Sequence, residues 1–317
     1  MKGTNLLLRF ARIMVFFVCL CLPCSSNSQS ELAWWNNDTL IVKGYGLALD
    51  DAGSLNNARS LARRAAIVNG YRALAQQAKE IQITAEKTIG SQILEDKAIE
   101  IKLNAIIKGA QIISEEFDDE GNCVVELSVP IYGVENSLAE VVFKPVDKKN
   151  FPLPTENTDV TGNYTGLIID CGDLDLNPVL APVIRNSDNQ TIYAYNYLDY
   201  DKVISKGMVS YVKKEYITVD DIVLVKVTGV KNYAAQIYDK MSGNAPWLLN
   251  VAAKGKDKSR AGDNPLVIKA KDLSDANSCP VISPEDADKI LAENKVTHFL
   301  DEGSVVFTGY RVGGLRV

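Results

Sequence analysis

The stretch ARSLARRAAIVNGYRALAQQAK, from Ala58 to Lys79, constrains the fold more than any other part of the chain. Leu61, Ala65, Val68, Tyr71, Ala75 and Ala78 recur in steps of three and four, which predicts one long helix with these residues on its buried face. Alanines on and beside that face would let the helix lie close against a sheet. The preceding run, TLIVKGYGLAL from Thr39 to Leu49, is β-rich, and its Gly44 and Gly46 mark places where the backbone bends or a helix comes near. Between strand and helix, DDAGS offers Ser54 as the N-cap. A long helix laid on a glycine-bearing strand implies a layered α+β arrangement.

Further along, EIQITAEKTIG alternates polar and apolar residues, and LEDKAIEIKLNAIIKGA reads as a helix ending before Gly109. AQIISEEF and CVVELSVPIYG then flank the acidic turn DDEGN, which is the pattern of a β-hairpin. These elements predict a first domain over residues 39–143. Residues 144–163 carry three prolines and no period, and read as a linker. A second domain is expected over residues 164–310. YTGLIIDC, DIVLVKVTGV, NPLVIKAKDL and GSVVFTGY are its strands, and NSDNQ is a hairpin turn. One helix is expected over 201–213, and another in SPEDADKILAEN with Ser283 as cap and Pro284 at its first position. The expected class is α+β: two domains, each an antiparallel or mixed sheet covered by one or two helices.

The first 30 residues read as a secretory leader. Lys2, Arg9 and Arg12 precede a ten-residue apolar centre, Ile13 to Leu22, too short to span a bilayer. Small residues at Ser26, Ser28 and Ser30 suit cleavage after Ser28 or Ser30. The alternative is lipidation of Cys24, against which stands Pro23, whose ring disturbs the extended backbone a peptidase grips. Without residues 1–30 the chain holds 31 basic residues against 40 acidic ones, a balance of −9. Such a balance disfavours nucleic acid and anionic lipid as ligands. Two basic runs, RSLARR at Arg59–Arg64 and KGKDKSR at Lys254–Arg260, read as solvated faces. The expected address is exported, periplasmic or outer-envelope associated, with at most peripheral contact to a membrane.

Candidate chemistry is sparse. Cys123, Cys171 and Cys279 follow the leader; Cys171 with Cys279 is the candidate disulfide, and three small buried hydrophobes is the alternative. Asp170, Asp173, Asp175 and Asn177 place oxygen donors within eight residues, a candidate metal site, although the spacing is not that of an EF-hand. His298 is the only histidine, and neither a nucleophile elbow nor a phosphate loop accompanies it, so no catalytic residue and no cofactor is expected. Tyr193, Tyr195 and Tyr197 alternate as one face of a strand would.

Taken together, the run GYG…ARSLARRAAIVNGYRALAQQ…IIKGAQIISEEFDDEGNCVVELSVPIYG resembles the LPP-twenty lipoprotein family and the N-terminal domain of flagellar assembly protein T, over about Thr39 to Val142. YTGLIID, NPLVIKA and VISPEDADKIL…FLDEGSVVF resemble the C-terminal portion of larger envelope proteins that carry this domain. The resemblance implies a non-enzymatic envelope protein, a flagellar or secretion-machinery accessory, whose partners are other envelope proteins. A metal-binding protein or hydrolase using Asp170–Asn177 is the alternative function.

Overall fold

In the computed structural model, residues 38–49, 53–156, 158–172, 174–219, 222–228, 233–238, 248–251 and 259–309 are described, the side chains of 213–251 excepted. The predicted leader, with Cys24, Ser28 and Ser30, lies outside the described residues, as do Asp173 and most of KGKDKSR. The described residues fall within one unit, Ala33–Val317. Its architecture is mixed α+β.

The first layer begins with β1 (Thr39–Gly46), whose alternate residues Leu40, Val42, Gly44 and Gly46 are buried. Helix α1 (Leu55–Glu80) lies on that face, capped by the Ser54 side chain, which accepts from the Asn57 amide. The glycines set the distance between the two elements. A Cβ on Gly44 would stand 2.1 Å from the Ala66 carbonyl oxygen, and one on Gly46 1.9 Å from that of Ala62. Only hydrogen fits there, so helix and strand meet backbone to backbone.

That approach corrects the predicted helix face. The buried residues of α1 are Ala58, Ala62, Ala66, Gly70, Leu74 and Ala78, whereas Leu61 and Val68 are exposed. Of the predicted face only Ala78 is buried. Close contact with β1 selects the smallest side chains and leaves the bulkier ones outside. Steps of four advance about 40° beyond a full turn at 3.6 residues per turn. The stripe therefore winds, and α1 contacts β1 and β3 as well as α2 and α3.

Helices α2 (Ile89–Glu95) and α3 (Lys97–Lys108) replace the single helix expected over LEDKAIEIKLNAIIKGA. Asp96 divides them: it ends α2, and its side chain accepts from the Ala98 amide to begin α3. Strands β2 (Gln111–Phe117) and β3 (Cys123–Pro130) form the predicted hairpin, and β1 pairs antiparallel with β3, giving the order β1-β3-β2. A short helix, α4 (Leu138–Val142), closes the layer under the buried cap Ser137.

Residues 144–163 lead to β4 (Gly166–Asp170), then β5 (Ile184–Asn186), β6 (Thr191–Tyr193) and α5 (Tyr200–Lys206). Strands β7 (Ser210–Val219), β8 (Ile222–Thr228), β9 (Tyr233–Tyr238) and β10 (Leu248–Val251) follow. The chain ends its described course with β11 (Pro265–Lys269), β12 (Asp272–Ser274), β13 (Cys279–Ile282), α6 (Pro284–Thr297) and β14 (Val305–Thr308). Helix α5 is shorter than the expected 201–213. It stops at Gly207, φ +74°, where a Cβ would meet the Tyr132 ring at 2.5 Å.

The larger sheet runs β10-β9-β8-β7-β14-β4-β11. Its core is parallel: β11 and β14 flank β4, and β14 also pairs with β7. All four residues of β14 are buried, as expected of a parallel strand covered on both faces. The smaller sheet runs β12-β13-β5-β6, with the predicted turn between β5 and β6.

Candidate functional site

Open parallel sheets bind ligands outside the carboxyl ends of their strands, and the predicted metal-binding aspartates fall at that end of β4. Asp170 is the last residue of β4, and its Oδ1 accepts from the Gly172 amide at 2.8 Å and the Thr308 hydroxyl at 3.2 Å. The Cys171 amide donates to the Thr308 carbonyl, and Gly309, φ +95°, packs so tightly that a Cβ would lie 2.4 Å from the Gly172 carbonyl oxygen. Asp170 thus ties the ends of β4 and β14 together. Asp175 is exposed, and the amide of Asn177 donates to the Asn277 carbonyl. Among the described residues, no three His, Cys, Asp or Glu side chains converge to hold a metal ion.

Of the cysteines, Cys171 directly follows Asp170, Cys279 opens β13 and Cys123 opens β3. Cys171 and Cys279 are buried, and no disulfide joins the described cysteines. Both stand near the Tyr211 hydroxyl, which donates to the Val179 carbonyl and accepts from the Val179 amide. Burial pushes the Tyr211 phenol far above its ordinary value and raises the Cys279 thiol as well. Cys123 is raised too, by burial first and then by Glu115. Raised thiols hold their protons and make weak nucleophiles. His298 ends α6 in a left-handed conformation, φ 56°, with its side chain 68% exposed and Nδ1 3.6 Å from Asp301 Oδ2. It caps a helix.

The tyrosines do not form one strand face. Strand β6 ends at Tyr193, and Tyr195–Tyr197 is a 3-10 turn. What they do is grip residues 144–163. The Tyr195 hydroxyl donates to the Lys144 carbonyl, and its ring lies 4.9 Å from that of Phe143. Phe151 packs between Tyr193 and Tyr197 at 6.5 and 5.3 Å. Burial lifts the Tyr195 phenol to about 12.

Two acids of α6 grip the same segment further along. Asp288 accepts the Thr155 and Glu156 amides at 2.7 and 3.0 Å, and Glu293, fully buried, accepts those of Thr161 and Gly162 at 2.6 and 2.9 Å. Backbone amides are suitable partners for a buried carboxyl group, because their N–H donors satisfy its oxygens. Sequence reasoning missed both acids. The available signal was two acids within the apolar run of SPEDADKILAEN, following a proline-rich segment in need of anchorage.

Arg260 corrects the reading of KGKDKSR as a solvated face. Its guanidinium donates to the carbonyls of Gly303, Lys206 and Gly207. Burial lowers its pKa, opposed by Tyr193, Tyr132 and Asp38, and Asp38 is itself raised by burial. The three carbonyls that Arg260 bonds belong to the second half, and Asp38, whose charge favours the cation, to the first. Backbone bonds join the halves as well, from Leu180 and Ala181 to Gln82 and Ile83, and from Gly133 to Ile204.

In contrast to these consumed groups, β2 faces outward. It pairs only with β3 among the described residues, and six of its seven positions are exposed, including Ile112, Ile113 and Phe117. Its register shifts at a bulge between Ile112 and Ser114.

Residues 166–308, from the first residue of β4 to the last of β14, match the family model of the second domain of Treponema pallidum Tp0624. The second half of the chain is thus similar to a bacterial domain. No curated protein matches the chain.

Proposed function

We propose that this chain is a non-enzymatic, exported bacterial envelope protein that works through protein–protein contacts, as a flagellar or secretion-machinery accessory. The observation that carries the reading is β2, a seven-residue edge strand that exposes three large apolar side chains. An unpaired strand edge offers a row of backbone donors and acceptors to another chain. The resemblance of residues 39–142 to LPP-twenty lipoproteins and to the N-terminal domain of flagellar assembly protein T supports the process. The bacterial domain matched by residues 166–308 supports the kind of organism.

Photo-crosslinking in the native host, with the probe placed in turn at Leu61, Val68 and Ile113, tests the reading. Fractionation of the cells accompanies it. Export together with discrete protein adducts from at least one position is the expected result. A chain kept in the cytoplasm, or one without adducts at all three positions, would overturn it. A calcium titration by calorimetry addresses the alternative: saturable heat that disappears in Asp170→Ala and Asp175→Ala would establish a metal-binding protein instead.

A further inference from the structure

We infer that β2 receives an extended, lysine- or arginine-bearing segment of a partner protein, which adds to its open edge as a fourth strand. The inference rests on the proposed function and names the surface and the chemistry of the partner. Three observations carry it.

First, the two edges of the three-stranded sheet β1-β3-β2 differ. On β1, the Tyr45 carbonyl is taken by the side-chain amide of Asn69 from α1, and Lys43 stands exposed on the strand. Covering and lysine are two devices by which proteins close an edge. Strand β2, Gln111–Phe117, holds neither lysine nor proline, and its bulge at Ile113 breaks the pairing with β3 without hiding the strand.

Second, the edge is acidic. Glu115, Glu116, Asp118, Asp119 and Glu120 follow one another around its end, all exposed, with Phe117 the only break in the run. Arg63 neutralises Glu115 through a 2.8 Å contact, and Arg59 lies over the Phe117 ring. Glu116 and Asp119 stand exposed outside these contacts.

Third, the apolar residues sit beside the acids. Ile112, Ile113 and Phe117 are 40, 50 and 39% exposed. A strand alternating basic and apolar residues would answer both: its backbone would pair with β2, its cations would meet the acids, and its apolar side chains would cover the isoleucines. A second copy of this chain answers less well. Its own β2 would bring a second acidic run into the seam, and like charges opposite one another destabilise a pair.

The test uses the full-length protein and a fluorescent peptide of alternating lysine and valine, with a glutamate–valine peptide as comparison. Saturable binding of the lysine peptide alone is expected, with amide-exchange protection confined to Gln111–Phe117. Affinity should fall about tenfold or more when Glu116, Asp119 and Glu120 are changed together to lysine. These positions are exposed, so the variant keeps its fold; circular dichroism checks this. Absence of binding, equal binding by the charge-reversed variant, protection elsewhere, or self-association through β2 would each overturn the inference. If the peptide fails while crosslinks from Leu61 or Val68 persist, the interaction reading stands and only its placement on β2 falls.

Discussion

At Gly46 a single methyl group separates a folded layer from a broken one. Alanine there would bring Cβ within 1.9 Å of the Ala62 carbonyl oxygen, and at Gly44 within 2.1 Å of that of Ala66, and backbone atoms cannot swing away. Overpacking of this kind costs about 1–3 kcal/mol and more where backbone is struck. Gly44→Ala and Gly46→Ala should each lower the urea midpoint by an amount equivalent to about 3 kcal/mol or more. Leu61→Ala, on the exposed face, should change it little. The hairpin turn shows a different residue-scale effect. The Asn122 side chain donates to Asp118, and backbone amides of Asn122, Glu120 and Gly121 add to it, so the Asp118 carboxyl titrates below its ordinary value of 3.8. Because the folded state binds that proton less readily than the unfolded chain, the turn's stabilisation is complete above pH 3.8 and is lost as pH falls through the lower folded-state value. An NMR titration should show Asp118 depressed in the wild type and moved upward in Asn122→Ala.

Among the elements, α6 has the most to lose. Glu293 is fully buried and holds two backbone amides, and hydrogen bonds to charged groups contribute about 1.5–3 kcal/mol each. Glu293→Ala should therefore destabilise by about 3 kcal/mol, and amide exchange at Thr161 and Gly162 should accelerate more than at Thr155 and Glu156. Asp288→Ala should reverse that order. The caps of α1 and α6 were legible in the sequence because Ser54, and Ser283 followed by Pro284, satisfy helix starts by local chemistry alone. The hairpin was legible for the same reason. The buried stripe of α1 was not, since alanine occurs on several of its faces and only contact with Gly44 and Gly46 chooses among them. Nor was the break at Asp96, where an aspartate that could have continued a helix instead caps the next one. At the candidate site, the sequence placed Asp170 at the end of a strand. That its carboxylate turns inward to Gly172 and Thr308 depends on β14, which lies 138 positions further along the chain.

In the molecule as a whole, Arg260 bonds carbonyls of residues 206, 207 and 303 and lies close enough to Asp38 of the first layer for that carboxyl to favour its charge. Lysine offers one point charge where the guanidinium forks toward three acceptors. Arg260→Lys should cost about 2 kcal/mol, the scale of carbonyls left without a donor. Calorimetry should then resolve two transitions, against a single one expected of the wild type. On α6, the segment that joins the halves is held by its main chain. Asp288 and Glu293 are five positions apart on α6, about 7.5 Å along its axis at 1.5 Å per residue, and each takes a pair of amides from 155–156 and 161–162. Amides are common to every amino acid but proline. Thr155, Glu156 and Thr161 can therefore change identity, proline excepted, without loss of these bonds, while the length between Glu156 and Thr161 is measured by the helix, and an insertion or deletion there would put it out of step with one of the two acids.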